Sequence, residues 1–227
     1  MYKFVARFLI SIIISVFIYG NSCASEHIAK SEQADVELLA GSYVDNKIQL
    51  GLNFKMQKGW HIYWRTAGDT GFPPVLDWKE SINIGGTEFL WPVPKRLVQE
   101  LNPGNFAESY VYKDEVTFPI AITVEDKTKP VDINLNVSYA ICAEICIPGQ
   151  ESLNVNVQPG YKSPENLKKI TQAKNLVPGK SGDSSLKITS VNKGVSASDG
   201  KQFLEITASS DTRKFASDTT IFVEGGE

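Results

Sequence analysis

Apolar and polar positions alternate from Lys47 to Met56: Ile48, Leu50, Leu52, Phe54 and Met56 fall on one face, and Gln49, Gly51, Asn53 and Lys55 on the other. A period of two is that of a strand with one buried face. The pattern recurs in Val131, Ile133, Leu135, Val137 and Tyr139, interleaved with Asp132, Asn134, Asn136 and Ser138. A shorter copy is Leu153, Val155 and Val157 around Asn154 and Asn156. Residues 116–124 predict a further strand. Pro119 within it predicts an edge or a bulge, because proline brings no N–H to a ladder. Residues 60–64 and 89–91 predict short strands.

Turn-forming clusters separate these runs: Ala67-Gly68-Asp69-Thr70-Gly71-Phe72-Pro73-Pro74, Gly85-Gly86, Pro92-Val93-Pro94 and Asn102-Pro103-Gly104-Asn105. No helical period precedes residue 160. Short strands without a βαβ rhythm predict an all-β fold, an immunoglobulin-like antiparallel sandwich over residues 30–160. Ser163-Pro164-Glu165 then predicts a helix start, with serine as cap, proline at the first position and an acid in the first turn. Leu167, Ile170 and Ala173 continue the helix, and Pro178-Gly179 stops it. Residues 161–185 are thus expected to be a linker with one short helix, whose Gly/Ser-rich stretch 180–185 is a hinge. Residues 186–191, 203–207 and 220–223 read as strands again. They predict the start of a second, apparently truncated β-domain over 186–227, because two or three strands do not close a sandwich. The alternative is an extra edge packed on the first domain.

The N-terminus has another pattern. Lys3 and Arg7 precede the apolar stretch 9–19, which is too short to span a membrane and suits a signal-peptide core. Ser22 and Ala24 are the small residues of a cut after Ala24, so residues 1–24 are expected to be a cleaved signal peptide. A retained anchor and a lipoprotein acylated at Cys23 are the alternatives. Removing Lys3 and Arg7 takes the 23 basic residues to 21 against 26 acidic, a formal charge of −5. Nothing basic draws in nucleic acid, and 10% aromatics argue against a disordered chain. Cys142 and Cys146 alone remain of three cysteines, in a compartment where disulfides persist.

These two carry the candidate chemistry. They lie where the alternation of 131–139 runs out, on a tight connection at a sheet end. Three intervening residues let the sulfurs meet if the backbone turns. So short a loop removes little chain entropy from the unfolded state, which favours a redox couple over a staple. The spacing itself leaves both open. His27 and His61 lack metal-ligand spacing to the pair, and methionine is scarce, so neither a metal nor a small-molecule cofactor is expected. No nucleophile elbow is present, and His61 reads as a strand histidine packed among aromatics. Glu144 lies between the cysteines and nothing basic adjoins them. The thiols are therefore expected not to be strongly acidified, which the pH profile of alkylation checks. Trp60, Tyr63, Trp64, Tyr110 and Tyr112 are candidates for covering the pair or for docking, with core packing as the alternative for each. Phe72 is a candidate for shielding the sulfurs.

Three stretches together resemble one family: Gly59-Trp60-His61-Ile62-Tyr63-Trp64-Arg65 running on to Gly68-Asp69-Thr70-Gly71-Phe72-Pro73-Pro74, then Trp91-Pro92-Val93-Pro94, then Cys142-Ala143-Glu144-Ile145-Cys146-Ile147-Pro148-Gly149. Tyr110-Val111-Tyr112-Lys113-Asp114-Glu115-Val116 fits the same pattern. They are similar to the periplasmic N-terminal domain of the DsbD-type protein-disulfide reductases, especially the copper-tolerance branch, over residues 35–180. The resemblance implies an immunoglobulin-like periplasmic domain that relays reducing equivalents through a cysteine pair. It implies thioredoxin-like redox partners and a membrane electron-transfer component, with cytochrome c biogenesis and copper tolerance as settings. By position, Cys146 resembles the cysteine that forms the mixed disulfide and Cys142 its resolving mate. No membrane region or thioredoxin-like domain lies within the 227 residues, so a stand-alone carrier or a fragment of an interrupted reductase gene is expected. The competing class is a non-catalytic secreted β-sandwich interaction module with a structural disulfide.

Overall fold

The structure is a computed structural model that describes residues 27–179, 186–196, 198, 200, 202–211, 214, 215 and 222. The expected signal peptide, the 180–185 hinge and most of the 220–223 strand lie outside the described residues. Two sheets face each other. The first contains β1 (His27–Lys30), β2 (Ala34–Val44), β3 (Lys47–Met56), β6 (Ile84–Phe89) and β9 (Glu115–Val124), in the order β1-β2-β3-β9-β6. The second contains β4 (His61–Gly68), β7 (Lys95–Asn102), β8 (Asn105–Lys113), β10 (Val131–Cys142) and β11 (Cys146–Val157), in the order β11-β10-β4-β8-β7, with β5 (Val75–Asp77) also paired to β10. All named pairs are antiparallel, as an immunoglobulin-like sandwich requires.

The predicted alternation sets the core. Ile48, Leu50, Leu52 and Phe54 of β3 meet Val131, Ile133, Leu135, Val137 and Tyr139 of β10 in one buried cluster. Phe54 and Tyr139 pack edge to face with centroids 5.0 Å apart. Burial and the neighbouring Glu151 carboxylate push the Tyr139 hydroxyl up to about 12. Pro119 departs from expectation: β9 is an interior strand, and its register with β3 is unbroken from Glu115 to Thr123. The reason is local. A strand residue points N–H and C=O to the same neighbour, and the Pro119 carbonyl accepts from Leu90 N at 2.9 Å, just past the end of β6. The missing N–H therefore faces the side where β6 has run out.

The helix α1 (Pro164–Lys174) begins as predicted: Ser163 caps it, its Oγ accepting from Asn166 N at 3.3 Å. It lies on the outer face of β2, β3 and β9. Ile170 and Ala173 are buried there, and Asn166 Nδ2 donates to the Ala40 carbonyl at 2.9 Å. Gly41 makes this approach possible, because a Cβ on it would stand 2.7 Å from Ile170 Cδ1. The centre of β3 is thus buried on both faces, where its alternation predicted one. Among the described residues, β12 (Leu186–Val195) and β13 (Gln202–Ser210) pair only with each other. That hairpin leaves Ile188, Val191, Val195 and Phe203 at least half exposed.

Candidate functional site

β10 and β11 form one hairpin whose ladder of twelve residue pairs ends at Cys142↔Cys146. β11 therefore starts at Cys146, seven residues before the predicted strand at Leu153. Pro148 and Gly149 hide this extension in the sequence, and Pro148 is tolerated because β11 is a sheet edge. The Cα atoms of the two cysteines are 4.1 Å apart and their sulfurs are bonded. Ala143, Glu144 and Ile145 form the turn, in which Ala143 N donates to the Ile145 carbonyl at 3.0 Å. Glu144 and Ile145 project into solvent, and Ile145 is 67% exposed.

The two cysteines have unequal surroundings. Cys142 is 2% exposed and belongs to a small second core with Tyr63, Val111 and Ala140, bordered by Ala67 and Leu97. Cys146 is exposed. The period of two explains the placement. On β10, Tyr139 and Ile141 point into the main core while Ala140 and Cys142 point to the outer face of the second sheet. On β4, Ile62 and Trp64 point inward, whereas Tyr63 joins Cys142 outside. His61 lies opposite Cys142 in the ladder and shares the Tyr63 side of β4.

A chain of polar groups ends on the exposed cysteine. His61 Nε2 is 3.3 Å from the Tyr63 hydroxyl, and that hydroxyl is 3.8 Å from Cys146 Sγ. Thr70 Oγ1 is 3.4 Å from the same hydroxyl and 2.7 Å from Ser109 Oγ. His61, Tyr63 and Ser109 are all buried. Burial, and then the charge of Lys113 across the β4–β8 pair, hold the His61 imidazole below its ordinary value. The 69–74 loop reaches this place because β8 grips it: Asp69 N donates to the Glu108 carbonyl and Glu108 N to Asp69 Oδ2, both at 2.8 Å. Gly71, at φ +72°, lies against the Tyr63 ring, where a Cβ would come within 2.2 Å of it.

The predicted site residues divide. Cys142, Cys146 and Tyr63 come together. Phe72 is 43% exposed in the loop that carries Thr70. Trp64 and Tyr112 are in the main core, and Trp60 and Tyr110 pack against it. Tyr112 donates to the Pro92 carbonyl at 2.7 Å, and burial raises its hydroxyl far above the ordinary value. Trp64 meets the rings of Tyr110 and Phe222 edge-on, with centroids 6.0 and 5.9 Å away. His61 is packed with aromatics as expected, its ring 5.3 Å from that of Tyr63. Its polar link toward a sulfur was readable only as the two-residue spacing that puts His61 and Tyr63 on one face. Thr70 and Ser109 carry no such signal. Among the described residues no group of three or more His, Cys, Asp or Glu side chains could hold a metal ion, and no helix is long and apolar enough to cross a membrane.

A family model described as "Thiol:disulfide interchange protein DsbD, N-terminal" matches residues 26–158. The chain belongs to this family. The family's chemistry is thiol–disulfide exchange, and the bonded pair lies within the matched region. Among solved structures, the N-terminal periplasmic domain of ScsB from Proteus mirabilis is similar, with a TM-score of 0.55 and 19% identity over 86% of this chain and 90% of that one. The reduced N-terminal domain of Neisseria meningitidis DsbD aligns with 56% of this chain and 87% of its own, at 18% identity and a TM-score of 0.34. No curated protein sequence matches the chain. The DsbD-family membership and the immunoglobulin-like fold both agree with the reading of the sequence.

Proposed function

We propose that this DsbD-family chain is a periplasmic electron carrier of the protein-disulfide reductase type. It relays reducing equivalents through Cys142 and Cys146 between a thioredoxin-like donor, fed by a membrane component, and partner disulfides. The observation that carries the reading is the asymmetry of the pair, Cys146 exposed and Cys142 2% exposed. An incoming sulfur reaches an exposed sulfur, whereas the buried one attacks from inside. In the reduced chain the Cys146 thiolate attacks a partner disulfide, a Cys146–partner bond forms, and a partner thiolate leaves. Cys142 then attacks Cys146 Sγ, restoring the internal disulfide and releasing the second partner thiolate, so the partner gains two electrons and this chain loses two. The strand pairs 186–195 and 202–210 support a second β-domain, because a lone hairpin is marginal in water and exposes its apolar residues here.

Trapping tests the assignment. Cys142→Ser should accumulate mixed disulfides with periplasmic proteins, visible as reductant-sensitive bands on gels, and Cys146→Ser should not. Equal trapping by both variants, or by neither, overturns it.

A further inference from the structure

We propose that His61 is a positioning residue for this exchange, acting through the Tyr63 hydroxyl to take the proton of Cys146 and to hold the thiolate that remains. The proposal rests on the exchange reading above and deepens it.

The geometry carries the idea. The Tyr63 hydroxyl lies between His61 Nε2 at 3.3 Å and Cys146 Sγ at 3.8 Å. Tyr63 is 1% exposed and His61 3%, so solvent does not compete for either group. The ring of Tyr63 is fixed from above by Gly71, and its hydroxyl is also met by Thr70, which leans on Ser109. A hydroxyl with one proton and two acceptor sites can pass a proton along such a chain. A core histidine needs no such connection, since its packing against Tyr63 already accounts for the ring.

In the reduced protein the step is a two-proton shift. The Cys146 S–H proton moves to the Tyr63 oxygen as the Tyr63 O–H proton moves to His61 Nε2. The thiolate is then held by the Tyr63 O–H, whose oxygen accepts from His61 Nε2–H. The thiolate attacks the partner disulfide, and His61 returns its proton through Tyr63 as the sulfur charge is consumed; that proton ends on the departing partner thiolate. Burial favours the neutral imidazole, whose Nε2 can accept from the Tyr63 hydroxyl. The charged and titratable groups facing it are Lys113 from β8, Tyr63 from its own strand and Cys142 from β10. Lys113 opposes the imidazolium. Cys142 sits instead in an apolar core with Val111 and Ala140.

The test is site-resolved alkylation of the full reduced chain with iodoacetamide from pH 5 to 10, following Cys146 and Cys142 separately by mass spectrometry. Tyr63→Phe keeps the ring and removes only the hydroxyl. It should slow Cys146 alkylation near pH 7 about tenfold and raise the midpoint of its pH profile by about one pH unit, a tenfold change in thiolate fraction. Cys142 should be unaffected. His61→Phe should do the same, and His61→Gln, which keeps a neutral partner for Tyr63, should recover part of the loss. A Cys146 profile unchanged in folded Tyr63→Phe overturns the proposal, whatever the His61 variants do to stability. So does an equal shift at both cysteines, which would mean loosened packing. The exchange reading is judged apart from this: trapping by Cys142→Ser with an unmoved alkylation profile removes the relay alone, and a moved profile without trapping removes the exchange.

Discussion

His61 shows how one residue's burial becomes a measurable property. Its folded form binds a proton less readily than the ordinary imidazole value of 6.5, first because it is desolvated and then because Lys113 is near. Above that ordinary value neither state is charged and nothing is lost. As pH falls through 6.5 the unfolded chain takes up a proton that the folded chain refuses, so stability should decline toward the depressed folded value. The slope has a ceiling of about 1.4 kcal/mol per pH unit for one group. Urea unfolding from pH 7.5 to 5 should show this decline in the native sequence and a shallower one in His61→Phe. Identical pH dependence in the two proteins would contradict the burial argument. The residue scale also divides what the sequence disclosed. The cysteines were legible as chemistry because they are the two that remain once the N-terminal one is set aside. Thr70 and Ser109 were not, since a loop threonine and a strand serine are ordinary until the β8 grip on the loop brings them to Tyr63.

At the scale of elements, α1 exemplifies a correct local reading with an unforeseen destination. Its cap, first proline and stop follow from backbone groups that need partners at helix ends. Where it docks depends on Gly41, which precedes the capping Ser163 by 122 residues and is close to the helix only in space. Ser163→Ala should cost about 1 kcal/mol through the lost cap. Ile170→Ala should cost about 2–5 kcal/mol by opening a cavity between helix and sheet. Chemical denaturation of both variants checks the order; an Ile170→Ala effect below that of Ser163→Ala would show the helix to be loosely seated. The hairpin β10–β11 gives the opposite case. Its first strand is evident from alternation, while the start of its second is obscured by Pro148, which the edge position of β11 accommodates, and by Gly149, which lies against the Tyr139 ring.

For the whole molecule, the main core of the sandwich includes neither cysteine of the disulfide. The main core draws on both sheets, from Val36 and Leu38 on β2 to Val155 and Val157 on β11. The bridge spans a sequence separation of four at the tip of one hairpin. A loop this small contributes about 2 kcal/mol by chain entropy. Reducing the pair should therefore lower the unfolding free energy by no more than about that amount and leave the circular dichroism spectrum unchanged. Unfolding on reduction would mark the bridge as a staple. Survival of the fold in both redox states is what the proposed carrier role requires.

The sequence by itself determined the class of fold, the capped helix, the family and which two cysteines come together. These depend on period, on turn residues and on rare residue types, all of which are local. The tertiary structure decided which cysteine meets solvent, which aromatic residue touches it, and what lies behind that residue. Period two states that His61 and Tyr63 share a face, but only the pairing of β4 with β10 and β8 turns that face toward the sulfurs rather than toward the core. Register between distant strands is fixed by the global burial of apolar faces, and no local segment carries that information.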